Sequence, residues 1–188
     1  TFVCALFDGR QTGILHSAGI YSPEWADRLY RGIERNYNGK FHFICLVDQN
    51  YSFKEPIEAV RFNRSVDQYG WMSLMEIYRP DLCSGKRMTL GLDTIITGPI
   101  DDIVDYDAKI ALCQDPYWPE TICNAVTICN DEFCNEAWNL WTGDEYMFLR
   151  EAKLDYGPHK APSEMALLRV AYPESPRLDT IFKGKILS

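Results

Sequence analysis

Short apolar runs, each bounded by polar or turn-forming residues, recur along the chain and have the length of buried β-strands. Such runs cover residues 2–7, 41–47, 59–62, 88–92, 108–113 and 124–129, and a further run at 181–187 predicts a short last strand. Several runs lead directly into an aspartate or a glycine, which is typical of a strand that ends in a loop.

Apolar residues at helical spacing lie between several of these runs. Ser22, Pro23 and Glu24 have the features of a helix start, namely a capping hydroxyl, a proline in the first turn and an acid, and this helix is predicted to continue to about Asn36. Further helices are predicted over residues 66–78, 132–141 and 162–171. Because strands and helices alternate in the first half, the fold class is predicted as α/β, with parallel neighbouring strands.

The length of 188 residues and a hydrophobic content of 46% predict a single domain, residues 1–188, with a sizeable core. The chain begins at Thr1, which is expected either after removal of an initiator methionine or for a domain excised from a longer chain. No apolar run approaches the roughly 18 residues that a membrane span needs, and no apolar leader opens the chain. Neither a membrane span nor a secretory signal is therefore expected.

The formal net charge is −8, and the 19 lysines and arginines are scattered along the sequence. Nucleic acid is therefore not an expected partner, because a polyanion is repelled where no basic patch overrides the net charge. An acidic protein that handles a phosphorylated small molecule usually needs a cation to bridge the two negative charges.

The seven cysteines do not suggest a metal site. Cys4, Cys45 and Cys113 fall inside predicted strands, where a thiol behaves as a small apolar side chain. The three cysteines between residues 123 and 134 lack the Cys-x-x-Cys spacing of zinc sites. Free thiols favour a reducing compartment, and the predicted location is cytoplasmic.

Aspartates at or just after predicted strand ends are the first candidates for chemistry, because ligands of open α/β sheets bind beyond the carboxyl ends of the strands. They are Asp8, Asp48, Asp93 and Asp115, of which Asp48 is interpreted as a loop residue. Asp93 follows the run 88–92, and a carboxylate fixed there could hold Mg²⁺ or Mn²⁺ against a diphosphate. A single acid at a strand end has a structural role more often than it is a metal ligand.

Residues 90–100 contain Gly91-Leu92-Asp93-Thr94 and resemble the Asp-x-Asp signature of the GT-A glycosyltransferases. Four other segments are similar to that family, at residues 41–48, 69–80, 122–128 and 182–188. The resemblance is strongest to a compact domain encoded by a chlorella virus, which would place the protein in glycan synthesis in the host cytoplasm. It implies a GT-A (Rossmann-like) fold with a central mixed, mostly parallel sheet of about six strands flanked by helices. It also implies a metal-dependent sugar transfer with Mn²⁺ or Mg²⁺, from a UDP-linked nucleotide sugar to a glycan or glycoprotein acceptor.

Three departures from the family pattern concern the metal site. Gly91 replaces the first acid, so Asp93 is the only metal ligand that the resemblance implies. Leu74 stands where many relatives carry a lysine for the donor phosphates, and His159 does not lie in the motif that supplies a late histidine ligand. We therefore expect a weak site that diphosphate oxygens and water complete.

The resemblance also implies roles for individual substrate-binding residues. The implied contacts are Phe7, Asp8 and Gly9 with the base and ribose, Tyr21 stacked on the base, Arg61 or Arg64 with phosphate, and Asn124 facing the donor sugar. Arg61 and Arg64 are the phosphate candidates because a planar guanidinium can donate two parallel hydrogen bonds to a phosphate. The alternative interpretation is a simple turn for residues 7–9 and a core position for Tyr21.

Asp115 and Glu164 are the candidate catalytic carboxylates. Asp115 could hydrogen-bond sugar hydroxyls, and the adjacent Tyr117 and Trp118 would suit the apolar face of an acceptor sugar or simply form a surface loop. Glu164 lies where relatives place an acid near the sugar, although an acid in a first helical turn also compensates the helix dipole. An inverting reaction needs one of these carboxylates as a base. A retaining reaction can pass the acceptor proton to the leaving phosphate, and the sequence leaves both open.

Three other functions are the alternatives to sugar transfer. Gly91 and Leu74 favour an inactive domain that only binds sugar nucleotides or glycans. A haloacid-type phosphatase has its aspartate pair at the end of the first strand, with threonine two residues on, whereas position 95 here is isoleucine. A nucleotidyltransferase normally has a basic, glycine-rich loop near its start, and residues 9–13 match that only faintly.

Overall fold

A computed structural model of the chain describes residues 1–8, 21–142 and 163–186. Six strands form one sheet in the order β3-β2-β1-β4-β6-β5. The strands are β1 Phe2–Leu6, β2 Phe43–Val47, β3 Glu58–Arg61, β4 Arg87–Leu90, β5 Ile110–Gln114 and β6 Ile122–Cys129. β1 to β4 pair in parallel, and β6 is antiparallel to both of its neighbours. The predicted α/β fold with a mixed, mostly parallel sheet is confirmed.

Helices cover both faces of the sheet. They are α1 Pro23–Asn36, α2 Val66–Tyr69, a 3₁₀ helix Gly70–Tyr78, α3 Asp101–Asp105, α4 Asp131–Thr142, α5 Glu164–Ala171 and α6 Leu178–Ile181. Successive strand residues alternate between two cores: Phe2, Cys4 and Leu6 pack in the core beside α1, and Val3 packs in the opposite core. Burial on both faces explains why the strands are continuous apolar runs.

Two elements differ from the predicted ones. The predicted helix over 66–78 is mostly 3₁₀, because Gly70 takes a φ of 56° and interrupts the α-helical turn. The predicted last strand over 181–187 is wrong for its described part. α6 ends at Ile181, and the following backbone forms local turns through Gly184, whose φ is 80°. The apolar residues of this segment, Phe182 and Ile186, pack on the core from outside the sheet.

β4 ends earlier than predicted, and this determines how Asp93 is presented. After Leu90 the chain turns: the Gly91 amide donates to the Ala125 carbonyl at 2.9 Å, and the Thr94 amide donates to the Gly91 carbonyl at 3.0 Å. Asp93 is therefore exposed within a turn at the carboxyl edge of the sheet, instead of continuing the strand.

Buried charges fix the loops on either side of the 3₁₀ helix. Arg87 is fully buried and donates to the carbonyls of Ile77, Arg79 and Cys83, which holds the end of this helix and the turn after it. Glu76 accepts hydrogen bonds from the backbone amides of residues 63 and 64, at 2.7 and 2.6 Å. The loop that follows β3 is thereby held against the 3₁₀ helix.

No helix in the described part of the chain is both long and apolar enough to span a lipid bilayer.

Candidate active site

A cavity of about 340 Å³ opens at the carboxyl edge of β1 and β4. Four predicted site residues line it from four separate parts of the chain, namely Tyr21, Asp93, Asn124 and Glu164, and Thr89 of β4 lines it as well. Phe7, Trp71 and Leu74 form an apolar wall. The described chain therefore brings four of the predicted site residues, and Phe7 with them, into one cavity.

Asp93 and Tyr21 contact each other inside this cavity. The Tyr21 hydroxyl donates to Oδ2 of Asp93 at 2.9 Å, and burial together with this bond raises the pKa of Tyr21 to about 12. The Tyr21 ring packs edge-on against Trp25 at 5.3 Å. Tyr21 also packs against the core beside α1, as the alternative interpretation predicts, and stacking on a nucleotide base stays a prediction.

The donor set fits a divalent cation only in part. A Cβ atom on Gly91 would lie 3.0 Å from Oδ1 of Asp93, so an acid at position 91 would stand directly beside this carboxylate. Within the described ranges, no three His, Cys, Asp or Glu side chains are close enough together to hold a metal. A lone carboxylate suits Mg²⁺ or Mn²⁺ when substrate phosphates and water supply the other ligands.

Glu164 and Asn124 form a hydrogen-bonded pair at the back of the cavity. Ser163 caps α5 by accepting from the Ala166 amide at 3.1 Å, and this places Glu164 in the first turn. Glu164 is only 4% exposed and accepts a hydrogen bond from the Asn124 side chain. Burial raises the pKa of Glu164 to about 7, although Asn124 and the helix amides oppose the shift. A carboxyl group with this pKa can exchange a proton near neutral pH, as a general base must.

Asp115 does not line this cavity. It is 5% exposed, and its Oδ2 accepts a hydrogen bond from Arg169. Its Oδ1 accepts from the backbone amides of Tyr117 and Trp118, at 2.8 and 2.9 Å. This geometry favours a bracing role for Asp115 over the predicted catalytic one and leaves Glu164 as the buried carboxylate of the cavity.

An Asp115→Asn variant separates the two roles. We expect the free energy of unfolding to fall by about 3 kcal/mol, because the buried Arg169 guanidinium loses its charged partner. We also expect kcat to change by less than about tenfold, whereas loss of a general base typically costs at least about 100-fold. Urea unfolding and steady-state kinetics measure both quantities. A large loss of kcat with unchanged stability would restore Asp115 as the base.

A second depression lies beside the cavity, at the ends of β1, β2 and β3. It is lined by Asp8, Asp48, Arg61 and Arg64 among other residues. The Asp8 amide donates to Asp48 at 3.0 Å, and the Arg64 guanidinium lies 4.4 Å from the centre of the Trp141 ring. The remaining predicted polar contacts therefore gather next to the first cavity. Gly9, also predicted to contact the base and ribose, lies outside the described residues, as does His159.

Sequence reasoning did not find Trp71 and Arg169. Trp71 lies in the segment predicted as an ordinary helix, and only the glycine before it signals the break that turns its ring to the cavity. Arg169 gave no signal, since its partner Asp115 is 54 residues away.

No protein-family model matches the chain, and no curated protein is similar to it in sequence. Solved structures do match it. The glycosyltransferase GlyE of Streptococcus pneumoniae superposes with a TM-score of 0.62 at 13% identity, over 94% of this chain and 44% of GlyE. The galactosyltransferase LgtC gives 0.56 at 10%, over 90% of this chain and 69% of LgtC. Mouse xyloside xylosyltransferase 1 gives 0.53 at 8%, over 94% of this chain and 83% of that protein.

The chain thus spans less than half of GlyE. At these identities the likeness concerns the fold alone. The chain has the GT-A fold of these glycosyltransferases.

Proposed function

We propose that this chain transfers a sugar from a nucleoside diphosphate donor, preferably UDP-linked, to a glycan acceptor. The observation that carries the proposal is the placement of Asp93 and the buried Glu164 in one cavity of a GT-A fold. The LgtC structure was solved with donor and acceptor sugar analogues, which supports the same ligand classes for this fold.

The donor would be held across the cavity and the neighbouring depression. The wall of Phe7, Trp71 and Leu74 offers the donor an apolar packing surface. Arg61 and Arg64 offer positively charged guanidinium groups. A bound Mn²⁺ or Mg²⁺ would be held by Asp93 and would neutralise charge that develops on the leaving diphosphate.

Glu164 would act on the acceptor. Its carboxylate takes the proton of the acceptor hydroxyl while that oxygen bonds to the anomeric carbon and the bond from this carbon to the diphosphate breaks. Asn124 fixes the orientation of the carboxylate. If configuration is retained instead, the leaving phosphate takes the proton and Glu164 would orient sugar hydroxyls.

A thermal-shift panel of UDP, GDP and CMP, each with and without Mn²⁺, tests the proposal. We expect UDP to stabilise the protein only when Mn²⁺ is present, by about 2.7 kcal/mol when the free nucleotide is 100 times its Kd. No stabilisation by any nucleotide would contradict the proposal.

A turnover assay distinguishes an active transferase from an inactive domain that only binds sugar nucleotides or glycans. Stabilisation by UDP together with no release of UDP from any UDP-sugar would favour binding without catalysis.

A further inference from the structure

Tyr117 and Trp118 form an unusual surface feature. They are 82% and 48% exposed, and the other exposed large apolar side chains in the described ranges are aliphatic. Their ring centres are 6.2 Å apart, and the planes are inclined by 59°. Exposed aromatic rings cost solvation free energy, so a pair of them on one loop suggests a ligand.

The loop that carries these rings is tightly constructed. Besides the two bonds to Asp115, the Thr121 amide donates to the Trp118 carbonyl at 2.8 Å. The Gln114 side chain donates to the Pro119 carbonyl at 2.8 Å, and the Asp115 amide donates to the Thr121 carbonyl at 3.1 Å. The rings are therefore presented by a preorganised backbone, which lowers the entropic cost of binding.

The loop lies at the same edge of the sheet as the cavity. β4 and β5 flank β6 and are both antiparallel to it, so their carboxyl ends lie at the same edge of the sheet. β6 begins at Ile122, directly after the loop. Asn124 lies two residues further along this strand, a distance of about 7 Å. α5 contacts both the cavity and the loop. Its Glu164 lines the cavity, and its Arg169 donates to Asp115 of the loop.

We propose that Tyr117 and Trp118 bind a sugar ring of the glycan acceptor, an inference that rests on the function proposed above. The C–H-rich face of a sugar packs on an aromatic ring, and Arg169 supports Trp118 with its guanidinium 5.9 Å from the ring centre. A protein partner fits less well. Two aromatic side chains bury at most about 500 Å², whereas a stable protein interface needs about 800 Å² from each side.

A Trp118→Ala variant of the full chain tests this. We expect the KM for the acceptor to rise by about tenfold, since loss of an indole contact is worth about one factor of ten, while kcat changes by less than about twofold. Trp118→Phe is expected to recover most of the acceptor affinity. Ile181→Ala removes another exposed apolar side chain, on α6, and serves as the control. An acceptor KM in Trp118→Ala equal to that of the wild type would overturn the proposal.

Binding to a glycan array separates this inference from the proposed transfer reaction, because it needs no turnover. Labelled wild-type chain is expected to bind a subset of the glycans, and Trp118→Ala is expected to lose that binding. The UDP-dependent thermal shift shows that the variant is folded. Equal array signals from the two proteins, or no glycan bound by the wild type, would contradict sugar binding by Tyr117 and Trp118. This holds even if UDP release demonstrates catalysis.

Discussion

Replacing Glu164 with glutamine is expected to lower kcat by about 10²–10⁴-fold, the range that loss of a general base costs. Glutamine preserves the size of the side chain and an oxygen that can accept from Asn124, so the cavity should keep its shape. In the wild type, the rate should rise with pH up to about 7, as Glu164 loses its proton, and then level off. The variant should lack this rise.

The same substitution should stabilise the protein at alkaline pH. The folded-state pKa of Glu164 is about 7, against 4.5 for the free side chain, so the folded protein binds the extra proton between these values. Stability therefore falls as pH rises through this window, by roughly 3 kcal/mol in total. Glutamine carries no charge and avoids this loss. Urea unfolding should show a gain of roughly 3 kcal/mol at pH 8 and little difference at pH 4.

Glu174→Gln is the matched control, because it makes the same change on an exposed carboxylate beyond the end of α5. It should alter neither kcat nor stability appreciably. Wild-type activity in Glu164→Gln would remove Glu164 from the chemistry. Loss of activity without the pH-dependent gain in stability would show that the carboxyl group is not desolvated as its burial indicates.

Replacing Asp93 with asparagine should weaken Mn²⁺-dependent UDP binding at least about 100-fold, since this residue is the only carboxylate assigned to the cation. Asparagine retains an oxygen for the Tyr21 hydroxyl, so the turn from Gly91 to Thr94 should persist. Calorimetric titration of UDP with and without Mn²⁺ measures the effect, and Asp107→Asn, at an exposed position, is the control. Undiminished metal-dependent UDP affinity would show that the cation is held elsewhere.

The sheet could be predicted from the sequence because its strands are buried on both faces. Residues 43–47 are apolar without interruption, and all five are buried, so the pattern and the structure carry the same information. Short elements gave no such signal. α3 has only five residues, three of them acidic, and resembles a loop in sequence.

The site could be predicted less completely, because its contacts join residues far apart in sequence. Asn124 and Glu164 were each expected near the donor sugar, but the bond between them spans 40 positions and depends on how α5 packs on β6. Tyr21 and Asp93 are 72 positions apart. Asp115 illustrates the same limit, since an acid after a strand end looked available for a ligand, and only the structure shows that both of its oxygens have internal partners.

The bracing of residues 115–121 by one carboxylate and one guanidinium has an evolutionary consequence. Tyr117 and Trp118 shape the surface of the loop, but its backbone is held by Asp115, Gln114 and Thr121. Mutations at the two aromatic positions can therefore accumulate without unfolding the domain or disturbing the cavity. Under the proposed function, such mutations would exchange one acceptor for another while the donor stays the same.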